Sequence, residues 1–142
     1  MPARLTILGS GSSGNSALVE ADGVRLLIDV GLEPRDLEAR LGQVGLGWSD
    51  LAGVLITHRH TDHWRPTTFA KLLEQRVPIH CHSEHVVAFR TGCGDFDELE
   101  RSNLVRIYVT NRPVRWAESW ECRPFRVRHD GGATFGFRFD RH

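Results

Sequence analysis

The stretch THRHTDHW, residues 57–64, decides the fold because it places three imidazoles and a carboxylate within six residues. It follows an apolar, β-branched run at residues 50–57 that is typical of a buried strand. His58 and His60 are two residues apart in an extended segment, so both imidazoles can reach one ion. Asp62 and His63 fall where the chain turns and can hold a second ion. The spacing predicts a two-metal site at the carboxyl end of a strand, and a solvated polar loop is the alternative.

The hydrophobic pattern around this stretch predicts interleaved strands and helices, and hence an α/β fold. Strands are predicted at residues 4–8, 16–20, 24–30, 50–57, 77–81 and 104–109, and helices at 34–42, 66–76 and 83–90, the last with Ser83 as N-cap. From residue 114 onward the pattern is again that of strands, with many aromatic residues.

Four motifs together carry a family resemblance. HRHTDH at residues 58–63 matches an HxHxDH signature, and RLLIDVG at 25–31 contains Asp29 one strand earlier. GSGSSGNS at 9–16 and PFRVRHDGGATFGF at 124–137 complete the set. The chain resembles the YycJ-like exonuclease branch of the metallo-β-lactamase superfamily, essentially over its whole length. The resemblance implies an αββα sandwich, of which residues 1–142 would be a single domain covering the N-terminal half to two thirds.

The resemblance also implies roles for individual residues. His58, His60 and His129 would ligate the first metal, and Asp62 and His63 the second. Asp29 would support the metal loop by hydrogen bonds without ligating. The pattern of the family continues with a bridging Asp and a last His, which we do not find; Asp140 and His142 come too early and are expected in a hairpin turn. The domain is therefore expected to be truncated before those two motifs.

Two divalent cations, zinc or manganese, would determine the chemistry of such a site. Ions about 3.5–4 Å apart can share a water, lower its pKa and hold a phosphate or carbonyl oxygen while the resulting hydroxide attacks. Asp62 would be the catalytic residue, since its carboxylate can both ligate and accept a hydrogen bond from that water. Imidazole favours zinc, whereas the carboxylate tolerates manganese.

The glycine- and serine-rich loop at residues 9–16 lacks the lysine that a Walker-type phosphate loop requires. The resemblance places this loop beside the metals, where it would form a wall of the cleft. Ser12, Ser13 and Asn15 are then candidate substrate-binding residues, because they offer donors suited to an anionic oxygen. A merely flexible turn is the alternative.

The charge is unevenly distributed along a chain whose formal net charge is zero. Residues 1–100 hold 9 basic and 14 acidic side chains, whereas residues 101–142 hold 9 basic and 4 acidic ones. The second segment is a candidate contact for a polyanion, although solvent-facing arginines on strands are the alternative. Its candidate residues are Arg101, Arg106, Arg112, Arg115, Arg123, Arg126 and Arg128.

These observations predict a metal-dependent hydrolase, a phosphodiesterase or nuclease acting on DNA or RNA. Hydrolysis of a small phosphodiester or a thioester is one alternative, and a metal-binding but catalytically incomplete module is another. The sequence shows no apolar run of membrane-spanning length and no signal peptide, so we expect a cytoplasmic protein without a membrane partner. Unpaired strand edges would favour a homodimer.

The remaining reactive and aromatic side chains have two interpretations each. Cys81, Cys93 and Cys122 are expected to be buried thiols, since their number and spacing suit neither a disulfide framework nor a zinc site. A further cluster of histidines, His80, His82 and His85, predicts either surface positions or a second zinc site. Trp116 and Trp120, with nearby phenylalanines, predict core packing, with a base-stacking platform as the alternative.

Overall fold

The computed structural model describes residues 2–129 and 132–142. The strands are β1 (Arg4–Gly9), β2 (Ser16–Ala21), β3 (Val24–Ile28), β4 (Gly53–Leu55), β5 (Ile79–His82), β6 (Val105–Tyr108), β7 (Val114–Ala117), β8 (Trp120–Val127) and β9 (Thr134–Arg141). The helices are α1 (Pro34–Gln43), α2 (Pro66–Gln75), α3 (Val86–Gly92) and α4 (Phe96–Arg101), with short 3₁₀ turns at Trp48–Asp50 and Ser83–His85.

Six strands form one mixed sheet in the order β1-β2-β3-β4-β5-β6. The first three pair antiparallel, and β3 to β6 pair parallel. The carboxyl ends of β3, β4 and β5 therefore meet at one edge, and the loop with the histidine motif leaves from β4. The other three strands form a separate antiparallel sheet in the order β7-β8-β9.

Both faces of the six-stranded sheet are covered, which explains its apolar strands. Leu27 and Val54 face one core together with Leu37 and Phe69 of the helices. Leu26 and Leu55, one residue along in each strand, face a second core that Trp120 and Cys122 of β8 complete. The described layers are therefore helices, a six-stranded sheet and a three-stranded sheet.

The first two helices begin where the sequence indicates and end within one residue of the predicted ends, whereas α3 begins at Val86, three residues later than predicted, and ends at Gly92, two residues later. Pro34 and Pro66 occupy the first turns of α1 and α2, where a missing N–H costs nothing. The short helix α4 was not predicted, although Phe96 and Leu99, three residues apart, bury its apolar side. The prediction of Ser83 as an N-cap was wrong: the 3₁₀ turn is capped by His82, whose Nδ1 accepts a hydrogen bond from the Glu84 N–H.

Strand β9 extends farther than predicted. Asp140 does not lie in a hairpin turn but within β9, paired with Glu121 of β8. Strand β8 ends at Val127 and β9 begins at Thr134, and His129 and Thr134 both lie beside His58 of the histidine motif. All three cysteines are free and buried, as predicted, and the burial of Trp120 and Phe135 confirms core packing for these aromatic residues.

Candidate metal centre

The structure brings together the four histidines that the sequence singles out. The His58 ring centroid lies 4.0 Å from that of His60, 5.1 Å from that of His63 and 4.5 Å from that of His129. Three of these residues come from the loop after β4, and the fourth follows β8, so the two sheets meet here. His58 is buried at the centre, while His60 and His129 are exposed.

His58 has one nitrogen occupied and one without a partner. Its Nδ1 lies 3.0 Å from the hydroxyl oxygen of Thr134, and that hydroxyl donates in turn to the Gly132 carbonyl. The Thr134 oxygen therefore accepts the Nδ1–H, and Nε2 carries the lone pair. This Nε2 is buried and has no hydrogen-bond partner among the residues that the structure describes. Burial, followed by the neighbouring imidazoles, lowers the pKa of His58 to about 4, so the ring is neutral at pH 7.

Asp29 fixes His63 from behind the site. Its carboxylate accepts hydrogen bonds from His63 Nδ1 at 2.7 Å and from the Thr57 N–H and hydroxyl at 2.8 and 2.6 Å. Burial raises the pKa of Asp29, although these hydrogen bonds act in the opposite direction. Burial lowers the pKa of His63, but the hydrogen bond and charge of Asp29 raise it overall. The Nδ1 proton is thus held between them, and His63 Nε2 points the other way, 3.7 Å from an Asp62 oxygen.

Asp29 adopts a left-handed backbone conformation with φ of 65°. Asp tolerates this region better than most residues, at a cost of roughly 1 kcal/mol. The conformation ends β3 at Ile28, two residues before the predicted end. It also turns the carboxylate toward the histidine loop.

Asp62 is held by the opening loop. The Asn15 side-chain amide donates to the Asp62 carbonyl at 3.0 Å and to its carboxylate at 3.3 Å, and the Asn15 backbone N–H donates to the same carbonyl at 2.8 Å. Asn15 also exchanges two hydrogen bonds with Gly11. Its amide is therefore engaged in positioning Asp62, and a role in substrate binding remains a prediction.

Two glycines allow this close approach. A Cβ on Gly31 would lie 1.9 Å from the Asp62 carbonyl oxygen, and one on Gly14 would lie 2.6 Å from the Gly31 oxygen. Arg65 ties the same segments together, because its guanidinium donates to the carbonyls of Gly31 and Ser13. The end of the opening loop, at residues 14–16, is thus packed against the histidine loop, whereas residues 10–13 are exposed.

An open cleft lies in front of these residues, lined by Ser12, Arg59, His60, Thr61 and Asp62. Ser12 and Ser13 are both exposed. Ser12 lines the cleft, whereas Ser13 contributes its carbonyl to Arg65.

The residues present fit a divalent ion by chemistry and proximity. Across residues 2–129 and 132–142, no group of three or more His, Cys, Asp or Glu side chains has the geometry of a preformed metal site. The rings instead pack edge to face. Three imidazoles around tetrahedral zinc put their ring centroids about 5 Å apart, and the centroids of His58, His60 and His129 lie 4.0, 4.5 and 5.9 Å apart, within about 1 Å of that value. The buried Nε2 of His58 accepts no hydrogen bond among the described residues, so its lone pair is available to bind an ion.

The histidines on and after β5 do not form a second metal site among the described residues. His80 and His85 are buried, so the prediction of surface positions was wrong for both. His80 packs against Trp116. The Nε2–H of His85 donates to the Ala133 carbonyl, and its Nδ1 accepts from the His82 N–H.

The arginines of the basic segment are partly neutralised locally. Arg101 pairs with Glu98 and Arg126 with Glu84. Arg123 donates to the Asn111 carbonyl. Exposed positions remain at Arg106, Arg112, Arg115 and Arg128.

Sequence reasoning missed Thr134, Thr57 and Arg65, which orient the proposed ligands or their loop. Thr57 stands directly before the motif and could have been suspected from its position. Thr134 is 76 residues from His58, and no local pattern links the two.

A family model described as the beta-lactamase superfamily domain matches residues 24–142. The chain belongs to the metallo-β-lactamase superfamily. Among curated proteins, the chain is 41% identical over 63 residues to the exodeoxyribonuclease YycJ of Bacillus anthracis. The matched segment covers 44% of this chain and 24% of that protein. The chain is 42% identical over 60 residues to the exodeoxyribonuclease WalJ of Streptococcus pneumoniae, 42% of this chain and 22% of that protein. The resemblance to the YycJ-like branch is thus confirmed over a segment that spans about a quarter of these relatives.

Solved structures confirm the fold. A diphosphatase of the PhnP family superposes with a TM-score of 0.67 at 22% identity, covering 98% of this chain and 62% of that one. YhfI from Bacillus subtilis, a metallo-β-lactamase fold protein, superposes with a TM-score of 0.69 at 16% identity. The match covers 99% of this chain and 59% of YhfI. The chain therefore has the layers of this superfamily and spans about three fifths of these two neighbours.

Proposed function

We propose that this chain contributes the metal-binding centre of a metal-dependent hydrolase that cleaves phosphodiesters in DNA or RNA. The observation that carries the proposal is the buried, unpartnered Nε2 of His58, with three further imidazoles and Asp62 around it. The metallo-β-lactamase fold implies use of a divalent metal, and imidazole-rich donors favour zinc over manganese.

Each side chain has a defined part in this proposal. His58, His60 and His129 would hold the first ion, and Asp62 and His63 a second. Thr134 would keep the His58 proton on Nδ1, and Asp29 the His63 proton on Nδ1, so that the Nε2 atom of each ring is left to bind an ion. Divalent ions there would lower the pKa of a water and stabilise charge on a phosphoryl oxygen. Asp62, held by Asn15, would accept a hydrogen bond from the attacking water.

Support for a nucleic-acid substrate comes from two sources. The relatives YycJ and WalJ are named exodeoxyribonucleases, and the basic segment exposes Arg106, Arg112, Arg115 and Arg128. A small phosphodiester is the second candidate, because the PhnP-family neighbour is described as a diphosphatase.

We further propose that residues 1–142 correspond to the N-terminal part of a single metallo-β-lactamase domain. The chain covers about three fifths of its structural neighbours. On β1, Leu5 and Ile7 are paired opposite Val19 and Ala17, yet their side chains are 63% and 61% exposed. This apolar strip, beside the core between the sheets, would suit further elements of the same domain. No helix among the described residues is long and apolar enough to cross a membrane.

The test is hydrolysis by zinc- and manganese-loaded protein of labelled DNA, labelled RNA, a bis-aryl phosphodiester and a thioester, with His58→Ala and His63→Ala as comparisons. We expect cleavage of a polynucleotide that both variants abolish and that salt inhibits steeply. Cleavage of only the small diester or the thioester would contradict the substrate class. If the metal-loaded protein cleaves none of these substrates, the result would contradict the proposed hydrolase activity and would favour a metal-binding module without catalysis.

A further inference from the structure

Arg59 stands between two of the proposed metal ligands and faces the cleft. Its backbone carbonyl accepts a hydrogen bond from Trp64 Nε1 at 2.6 Å, which fixes the backbone at this point. Its side chain is exposed and lines the cleft together with Ser12, His60 and Asp62. Arg59 thus borders whatever occupies the cleft.

The side chain of Arg59 is also positioned from the second sheet. A Cβ on Gly132 would lie 2.9 Å from Arg59 Nε, 3.6 Å from a terminal nitrogen and 3.7 Å from the guanidinium carbon. Gly132 has φ of 97°, a conformation that favours glycine. The guanidinium therefore lies across the backbone just before β9, in space that the missing side chain leaves open.

The charges in the cleft favour an anion at Arg59. Among the described residues, no carboxylate lies within 4 Å of its guanidinium in an ion pair, whereas Arg65, Arg101 and Arg126 each have one. Asp62 also lines the cleft, but its carboxylate faces the Asn15 amide and His63 Nε2. A planar guanidinium without an acidic partner matches two oxygens of a phosphate.

We propose that Arg59 and the hydroxyl of Ser12 form a phosphate subsite beside the metal centre, which binds the phosphate next to the bond that is cut. This inference rests on the proposed function and adds the group that recognises the substrate. The phosphate can belong to a polynucleotide or to a small phosphodiester, since both present the same oxygens.

The experiment measures binding of inorganic phosphate, a dinucleotide and a 12-nucleotide single strand by calorimetry, to the wild-type protein and to Arg59→Gln, Arg59→Lys and Arg35→Gln. Arg35 is an exposed arginine on α1 that does not line the cleft and lies instead beside Pro34, Glu38 and Lys71, so Arg35→Gln matches the charge change. Circular dichroism and zinc content establish that each variant is folded and retains its metal.

We expect Arg59→Gln to weaken phosphate binding roughly tenfold or more, because charge-assisted hydrogen bonds are lost. Arg59→Lys should recover part of that loss, and Arg35→Gln should bind as the wild type does. If Arg59→Gln lowers the affinities for the dinucleotide and the 12-mer equally, the subsite binds the phosphate of a small phosphodiester. If the affinity for the 12-mer falls more, the subsite binds the phosphate of a polynucleotide. Both results support the subsite.

Phosphate affinity that is unchanged in Arg59→Gln, or reduced equally in Arg35→Gln, would overturn the subsite. These binding measurements do not require turnover, so they test the subsite even if the chain hydrolyses nothing. Conversely, hydrolysis that persists with unchanged KM in Arg59→Gln would overturn the subsite and leave the proposed function intact.

Discussion

Replacing Gly31 by alanine should disrupt the junction between the opening loop and the histidine loop. The new Cβ would lie 1.9 Å from the Asp62 carbonyl oxygen, 2.5 Å from its carbonyl carbon and 2.7 Å from the Asn15 nitrogen. Contacts of a real Cβ below 3.0 Å essentially do not occur. All three atoms belong to the backbone, so no side-chain rotation relieves the clash, and one segment must move by about 1 Å or more.

The cost follows from the interactions at this junction. The Asn15 N–H donates to the Asp62 carbonyl, the Gly31 N–H to the Asn15 carbonyl and the Val30 N–H to the His63 carbonyl, at 2.8 to 2.9 Å. Overpacking typically costs 1–3 kcal/mol, and each weakened hydrogen bond adds about 1 kcal/mol. We expect a loss of about 4–6 kcal/mol and a fall in Tm of roughly 13–20 °C. Displacement of Asp62 should also weaken zinc binding.

Urea unfolding and a zinc competition titration measure both effects. Gly42→Ala is the matched control, because a Cβ on that exposed helical glycine would meet nothing within 4 Å; we expect it to be neutral or stabilising by up to about 1 kcal/mol. The reasoning is refuted if Gly31→Ala is as stable as the wild type and binds zinc equally well.

Three further changes probe the side chains behind the site and within the core. Thr134→Val keeps the shape but removes the partner of His58 Nδ1, so zinc affinity should fall roughly tenfold, with a small change in Tm. Asp29→Asn removes the carboxylate that holds the His63 proton, and zinc affinity should fall roughly 10- to 100-fold. Burial lowers the pKa of His80 to about 4 from 6.5. As the pH falls, the unfolded chain therefore binds a proton at His80 before the folded protein does. The free energy of unfolding of the wild type should decrease between about pH 6.5 and about pH 4. His80→Leu should lose roughly 2–3 kcal/mol less across that window, as measured by urea unfolding.

Each of these expectations has a contradicting result. Zinc affinity unchanged in Thr134→Val would mean that the hydroxyl does not set the His58 tautomer. An Asp29→Asn variant with wild-type affinity would remove the argument that this carboxylate orients His63. Parallel loss of stability in His80→Leu and the wild type between pH 7 and pH 4 would show that His80 is not the group that titrates.

The local sequence pattern was sufficient to predict those features that a single segment of the chain determines. The spacing in residues 57–64 identified the cluster, and the fold followed from the resemblance that this motif carries, although β4 ends at Leu55, two residues before the predicted end. The three buried cysteines and the packing of Trp120 were also predictable, because composition and alternation report burial.

Features that join distant segments were not accessible to such reasoning. The bond from Thr134 to His58 spans 76 residues, and the bond from Asn15 to Asp62 spans 47. Asn15 was interpreted as a substrate ligand because its amide suits anions, but its neighbours in space are the Asp62 carbonyl and carboxylate. Gly31 reads as an ordinary turn residue in the sequence, and only the tertiary structure shows the backbone that excludes a Cβ there.

The measurement that tests the central claim most directly is metal content by elemental analysis on protein purified without chelators. It should be run beside His58→Ala and beside His142→Ala, whose exposed ring pairs with Glu121 away from the cluster. The account predicts at least one equivalent of zinc or manganese in the wild type and in His142→Ala, and its loss in His58→Ala. Metal content that is the same in all three proteins, or absent from all three after reconstitution, would contradict a metal centre at His58.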